Sequence, residues 1–204
     1  MIKNIIFDMG NVLLDFDPDA AVRRLPVEPE EQQLIREVLF GSPEWVMYDR
    51  GDLTEETLFQ KLSGRLPEKL RPALQECLHS WHVTMLPLPG AKEFLRELKG
   101  KGFRLFVLSN ASEQFWTYFP REIDVNLFDG VVVSCGVRLL KPDVRIYRHL
   151  LETYALDPDE CLFVDDRADN LLGAKEAGID GLLFKGDYDE VRDKIGICLA
   201  NSDR

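Results

Sequence analysis

Cysteine and histidine are scarce: 4 and 3 in 204 residues. Cys77, Cys135, Cys161 and Cys198 are far apart and form no CxxC pair, and His79, His82 and His149 supply no clustered partners. Neither a structural zinc site nor a disulfide framework is expected, and the thiols read as free, buried groups in a reducing compartment. Positive charge is also short. With 25 basic against 36 acidic residues the net charge is -11, which excludes the basic stripe of a general nucleic-acid binder. An anionic ligand would need a local cationic site to overcome that field. Long hydrophobic runs are missing too. Nothing approaches the roughly 18 apolar residues of a membrane span, and the apolar run at the N-terminus is too short for a signal peptide. The expectation is a soluble cytoplasmic protein, a monomer or small homo-oligomer, with no nucleic-acid or membrane partner. Repeats and low-complexity tracts are absent from the sequence as well.

What is present is ordinary for a globular chain: 45% hydrophobic and 30% charged residues. Short, nearly continuous apolar runs at 4–7, 104–108, 130–133, 161–164 and 181–184 read as strands buried on both faces, the signature of a parallel sheet. Helical patterns lie between them. Residues 92–101 put Phe94, Leu95 and Leu98 on one face, with Gly100 and Gly102 at the end. Residues 144–154 repeat the logic with Ile146, Tyr147, Leu150 and Leu151, and 170–177 lead to Gly178. This alternation predicts an α/β fold with a doubly wound parallel sheet. From 19 to 85 it stops. A stripe of Leu34, Ile35, Val38 and Leu39 marks a helix over 30–40. Ser42-Pro43-Glu44 and Thr54-Glu55-Glu56 are helix starts, and 67–81 predicts one further helix. The expected organisation is an α/β core of 1–18 and 87–204 with a helical cap, 19–86, inserted after the first strand. Phe16–Pro18 and Pro87–Gly90 would be its hinges. Residues 198–204 carry no motif and are expected to fray.

Several strand ends carry polar residues. Ile5-Ile6-Phe7-Asp8-Met9-Gly10-Asn11 reads either as a β-hairpin or as a carboxylate at the C-terminal edge of a parallel sheet, with Gly10 letting a ligand approach the backbone. Ser109-Asn110 after Phe106-Val107-Leu108 reads as a helix cap or as a donor cluster for phosphate oxygens. Lys141-Pro142-Asp143 before a helix holds either a solvated lysine or a point charge for phosphate. Asp165-Asp166 at the end of Leu162-Phe163-Val164 places two carboxylates side by side. Capping explains one of them; a bound cation relieves both, and oxygen donors favour magnesium. In a parallel sheet these ends share one edge, so a metal site would adjoin a phosphate site.

Asp8, Ser109, Lys141 and Asp165-Asp166, in that order and around a helical insertion, resemble the motifs of the haloacid dehalogenase-like hydrolases. Phe7-Asp8-Met9-Gly10-Asn11-Val12, Lys141-Pro142-Asp143 and Asp165-Asp166 with Asn170 look closest to a bacterial subgroup that includes an α-D-glucose-1-phosphate phosphatase. The resemblance implies a Mg2+-dependent phosphatase acting on a small phosphorylated metabolite such as a sugar phosphate. Asp8 would attack phosphorus and form an aspartyl-phosphate. Asp8, the Gly10 carbonyl, Asp165 and Asp166 would hold the metal; Ser109 and Asn110 would bind the phosphoryl oxygens; Lys141 would bridge Asp8 and phosphate; Asn170 would support the ligands from behind. The sequence departs from the family in one place. Its phosphatases carry a second aspartate two residues after the nucleophile, as the acid that protonates the leaving group, and here that residue is Gly10. Asp15, Asp17 or a water relay are stand-ins, or the leaving group needs little protonation. A 2-haloacid dehalogenase, which lacks that aspartate and uses no metal, and a non-catalytic binding domain are the rival readings. In the insertion, Trp45, Tyr48 and Arg50 read as packing and surface residues rather than substrate contacts, and His79 and His82 likewise.

Overall fold

The computed structural model describes residues 1–197, so the expectation for 198–204, Cys198 included, lies outside the described residues. A parallel sheet of strands β1 (Asn4–Phe7), β2 (Arg104–Ser109), β3 (Gly130–Val133), β4 (Cys161–Asp165) and β5 (Asp180–Leu183) runs in the order β3-β2-β1-β4-β5. β1 is central, and the chain winds outward from it first to one side and then to the other. The crevice between the C-terminal ends of β1 and β4 is therefore the topological switch point, where open α/β sheets bind ligands.

Successive strand residues face opposite layers. Ile5, Phe7, Leu105, Val107, Leu162 and Val164 pack on one side with Phe94 of α6 (Ala91–Gly100), Phe115 of α7 (Phe115–Glu122) and Val191 of α11 (Tyr188–Lys194). Ile6, Phe106, Leu108 and Phe163 pack on the other with Ile146 and Leu150 of α9 (Val144–Tyr154) and Ala174 of α10 (Ala168–Glu176). Burial on both faces is why the strands read as unbroken apolar runs.

Between β1 and α6 the chain forms α1 (Pro18–Arg23), α2 (Pro29–Phe40), α3 (Pro43–Asp49), α4 (Glu55–Ser63) and α5 (Arg71–Ser80). Local chemistry sets their starts. The Ser42 hydroxyl accepts from the Trp45 N–H at 3.1 Å, and Thr54 and Thr57 cap one another's backbone at 3.2 and 2.8 Å. The helix expected over 67–81 is broken. A 3-10 turn (Glu68–Leu70) precedes α5 and another (Trp81–Thr84) follows it, because Pro72 fits only the first turn of an α-helix. The outgoing and returning chain are tied together: the Asp15 N–H donates to the Leu86 carbonyl at 2.8 Å and the Leu88 N–H to the Leu13 carbonyl at 3.0 Å.

The other departures from the sequence reading are small. β2 and β4 each run one residue further, because Ser109 pairs with Val133 and Asp165 with Leu183. β5 starts at Asp180 instead of Gly181. Cys135 is half-buried and lies in the short helix α8 (Ser134–Val137) after β3, while Cys77 and Cys161 are buried; all three are free thiols. Among the described residues no helix is long and apolar enough to cross a membrane.

Candidate active site

Asp8 leaves β1 with its N–H still bonded to the Val164 carbonyl at 2.9 Å, so the strand ladder fixes where its side chain starts. The Asp8 carboxylate is held at one oxygen. Oδ1 accepts from the Met9 N–H at 2.6 Å and pairs with the Lys141 ammonium at 2.7 Å. Among the described residues no protein donor bonds Oδ2. Burial pushes the Asp8 pKa up to about 7; Lys141 pulls it down and Asp165 pushes it up further.

Lys141 is the hub. Its side chain has no exposed surface, and Nζ also bonds Asp165 Oδ2 at 2.8 Å. It does not extend from a strand end, as the other polar residues do; α8 and a loop separate it from β3. Asn110 compensates. Its amide donates to the Lys141 carbonyl at 2.9 Å and its oxygen accepts the Lys141 N–H at 2.8 Å, a two-point clamp joining the end of β2 to the lysine loop. Gly173 of α10 lets that loop lie close: a Cβ there would meet the Pro142 carbonyl oxygen at 2.1 Å. The Asn110 side chain thus has a structural task the sequence did not reveal, which leaves its backbone N–H for a ligand.

Asp165, fully buried, has both oxygens engaged. Oδ1 accepts from the Arg167 N–H at 2.8 Å and the Asn170 amide at 3.0 Å; Oδ2 accepts from Lys141 and from the same amide at 2.9 Å. Asn170 is therefore the support behind the acidic pair that the sequence suggested, and Tyr147 bonds its carbonyl at 2.7 Å. Asp166 is half-buried, and its Oδ2 accepts from Asn11 at 3.2 Å. Asn11 also accepts the Phe16 N–H at 3.0 Å, so one side chain links the acidic pair to the chain entering α1. Asp8, Asp165 and Asp166 offer oxygens all within 4.8 Å of one another. Hard carboxylate oxygens with no thiolate or imidazole among them suit Mg2+ and not zinc.

These groups floor a cavity of about 550 Å³. Ser109, Asn110, Lys141, Asp166 and Gly10 line it beside Asp8, so the structure gathers the sequence-selected residues at one place, with Asp165 just beneath. The opposite wall was not foreseen: Phe40, Trp45, Trp81 and Met85, with Arg36 and Asp49, come from the helical segment, and Phe16 from the chain entering it. Trp45 and Tyr48 are buried as expected, yet Trp45 also faces the cavity. Arg50 pairs with Asp52, and His79 is an exposed partner of Glu55. His82 is buried and stacks on Tyr118 with ring centroids 5.6 Å apart. The signal for Asp49 was its helical spacing: it lies four residues after Trp45, on the same face of α3.

The family profile described as haloacid dehalogenase-like hydrolase matches residues 2–178. A sesquiterpene phosphatase from Aspergillus oryzae is 26% identical over 97% of this chain and 93% of its own. A glyceraldehyde 3-phosphate phosphatase from Methanothermobacter thermautotrophicus is 29% identical over 96% and 91%. Among solved structures, an enzyme of the same family from Bacteroides thetaiotaomicron, in complex with magnesium and inorganic phosphate, superposes with a TM-score of 0.69 at 19% identity. That match covers 94% of this chain and 99% of the other, a likeness of fold.

Proposed function

The chain belongs to the haloacid dehalogenase-like hydrolases, and from that premise we propose that it is a magnesium-dependent phosphatase working through an aspartyl-phosphate on Asp8. The observation that carries the reading is the asymmetry of the Asp8 carboxylate. One oxygen is locked by Lys141 and the Met9 N–H, and the other has no protein partner among the described residues. A nucleophile has to be oriented and still keep a free lone pair.

In this reading Asp8 attacks phosphorus. Ser109 and the Asn110 N–H hold the phosphoryl oxygens, and Lys141 balances the negative charge shared by Asp8 and phosphate. Asp8, Asp166 and the Gly10 carbonyl would hold magnesium, which shields the two anions from each other and stabilises charge on the phosphoryl oxygens. Asp165 adds charge to that site and keeps Lys141 in place, since its own oxygens are taken by Lys141, Asn170 and Arg167. Residues 19–86 serve as a cap over a core of 1–18 and 87–204, closing on substrate to exclude water. Support comes from the cavity, whose floor lies on the sheet edge and whose wall lies on the helical segment.

The substrate is a small phosphate ester. The aromatic wall suits the C–H face of a sugar, as in the resemblance to α-D-glucose-1-phosphate phosphatases. It equally suits a methyl-branched chain such as the sesquiterpene phosphatase takes. The test is phosphate release, with magnesium and with EDTA, from α-D-glucose-1-phosphate, glucose-6-phosphate, glyceraldehyde 3-phosphate, farnesyl phosphate and p-nitrophenyl phosphate. Magnesium-dependent release is expected, and the preferred ester names the class. Silence on every ester together with chloride release from a 2-haloacid would replace this reading with the dehalogenase one.

A further inference from the structure

The hydrolysis just proposed needs a proton for the leaving group and a base for water. Gly10 stands where the family's phosphatases keep that acid, and a side chain there would face Phe16, with its Cβ at 3.7 Å. The two nearby aspartates are occupied elsewhere. Asp17 caps α1, accepting from the Asp19 and Ala20 N–H groups at 2.8 and 3.0 Å, and pairs with Arg23. Asp15 is exposed, and neither residue lines the cavity.

Asp49 does line it. It ends α3 and shares the cavity wall with Trp45. Its position is fixed by the loop that carries the phosphate-binding groups. The buried Ser134 hydroxyl donates to the Asp49 carbonyl and accepts the Ala111 N–H at 2.9 Å, and Ala111 directly follows Ser109-Asn110. Just past Asp49 the chain passes so close to the core that only a glycine fits: Gly51 has φ +82°, and a Cβ there would meet the Cys135 carbonyl at 2.5 Å. A second observation concerns Tyr118, which lines the same cavity. Its hydroxyl is buried and has no hydrogen-bond partner among the described residues, and the carboxylates of both Asp8 and Asp49 bear on it electrostatically. A polar atom left this way marks a place where a ligand group completes the bonding.

We propose that Asp49, reaching from the helical segment into the cavity that Tyr118 also lines, is the general acid and base of the hydrolysis. The proposal rests on the phosphatase reading. In the first half-reaction the Asp8 oxygen forms a bond to phosphorus as the bond from phosphorus to the ester oxygen breaks. Asp49 gives its proton to that oxygen and is left as carboxylate. In the second half-reaction the Asp49 carboxylate takes a proton from water, whose oxygen attacks phosphorus. The bond to Asp8 breaks, inorganic phosphate leaves, and Asp49 is protonated again.

The protonation state agrees. Burial holds the Asp49 carboxyl well above the usual carboxylate range, and only the Ser112 N–H works against it. Tyr48 on α3, Tyr118 on α7 and Cys135 on α8 feel its charge, and Asp8 and Lys141 share its cavity. Arg36, on the same cavity wall, is paired with Asp19.

Asp49→Asn and Asp49→Glu decide the matter, assayed on an alkyl phosphate and on p-nitrophenyl phosphate, whose leaving group departs unprotonated. Asp49→Asn is expected to lose about 10²–10⁴-fold in kcat/KM on the alkyl ester. It should also lose the basic limb of that ester's pH profile. With p-nitrophenyl phosphate it should give a stoichiometric burst of nitrophenolate followed by slow turnover, because the base for the second step is gone. Asp49→Glu, which keeps a proton to give, should recover part of the rate. Equal losses on both esters without a burst, or unchanged rates on both, would overturn the role of Asp49. No phosphate release by the wild-type protein from any ester would instead overturn the phosphatase reading itself.

Discussion

The two halves of the cavity are built from opposite materials. On the sheet edge, Lys141 Nζ lies 2.7 Å from Asp8 and 2.8 Å from Asp165, and nearly every polar atom is matched to a named donor or acceptor. On the helical side, Phe16, Phe40, Trp45 and Trp81 meet edge to face with centroids 4.8 to 6.2 Å apart. Charge–charge geometry is steep in distance and punishes any unpaired partner, so the floor is specified atom by atom. Aromatic packing is shallow and tolerant, so the wall can change shape while the floor stays fixed. The floor accordingly belongs with the reaction and the wall with the choice of leaving group.

That division is sharpest at Asp8. Asp8→Asn removes the oxygen proposed to attack phosphorus, and activity should fall on the order of 10⁴-fold or more, with every ester affected alike. The fold should not suffer. The folded Asp8 pKa of about 7 means its charge is a cost at pH 8, which a neutral amide removes, while Lys141 keeps Asp165. Wild-type-like turnover, or preserved activity toward one ester alone, would break the comparison. Lys141→Met comes next. It strands two buried carboxylates, and removing one partner of such a pair costs about 3–5 kcal/mol. A lower melting temperature in EDTA should therefore accompany a rate loss on the order of 10²-fold. An unchanged melting temperature would show that the ammonium is not holding the acids together.

The same contrast explains what could be read in advance. Asp8, Ser109 and Asp165-Asp166 were visible because each closes or follows an apolar run, and a parallel sheet brings such ends to one edge whatever the rest of the chain does, whereas Lys141 was visible only as a lysine after an apolar pair and before a helix. The clamp of Asn110 on Lys141, by contrast, joins residues 31 apart. The link from Ser134 to Asp49 spans 85. Neither has a local pattern. Trp81 is buried and Phe40 is partly buried against the same core, and whether a packed ring also borders a cavity depends on what stands opposite it. Pro72 shows the reverse case: its meaning as a helix start was legible, and the reading of 67–81 as one continuous helix overlooked it.

A smaller effect tests the wall. Phe40→Leu alters one face of the aromatic cluster without touching Asp8, Lys141 or Asp165. A change of this size in an apolar pocket is worth about 10-fold. It should appear as a changed ratio of kcat/KM between farnesyl phosphate and glucose-1-phosphate, with p-nitrophenyl phosphate turnover little altered. A uniform drop in kcat on all esters would mean that the wall positions the floor after all.

The smallest effect is a linkage between proton and metal at the floor, and its sign is fixed. Unfolded, Asp8 ionises at its ordinary 3.8; folded, at about 7. A pKa raised by folding contributes stability that is complete below pH 4 and is lost as pH rises to 7, because the folded state holds a proton the unfolded chain has released. Burial is the main cause, so a cation at the acidic cluster offsets the cost by restoring favourable surroundings to the charged form. Magnesium bound as proposed would therefore compete with a proton for Asp8 at pH 5 and meet a bare carboxylate at pH 8. Thermal unfolding in magnesium and in EDTA should show a larger stabilisation at pH 8 than at pH 5, by mass action on the folded state. The difference should vanish in Asp8→Asn, whose amide does not titrate. If magnesium raised the melting temperature equally at both pH values, or did so undiminished in Asp8→Asn, the ion would be bound away from the sheet edge, and the floor would have no claim to be the chemical half of the cavity.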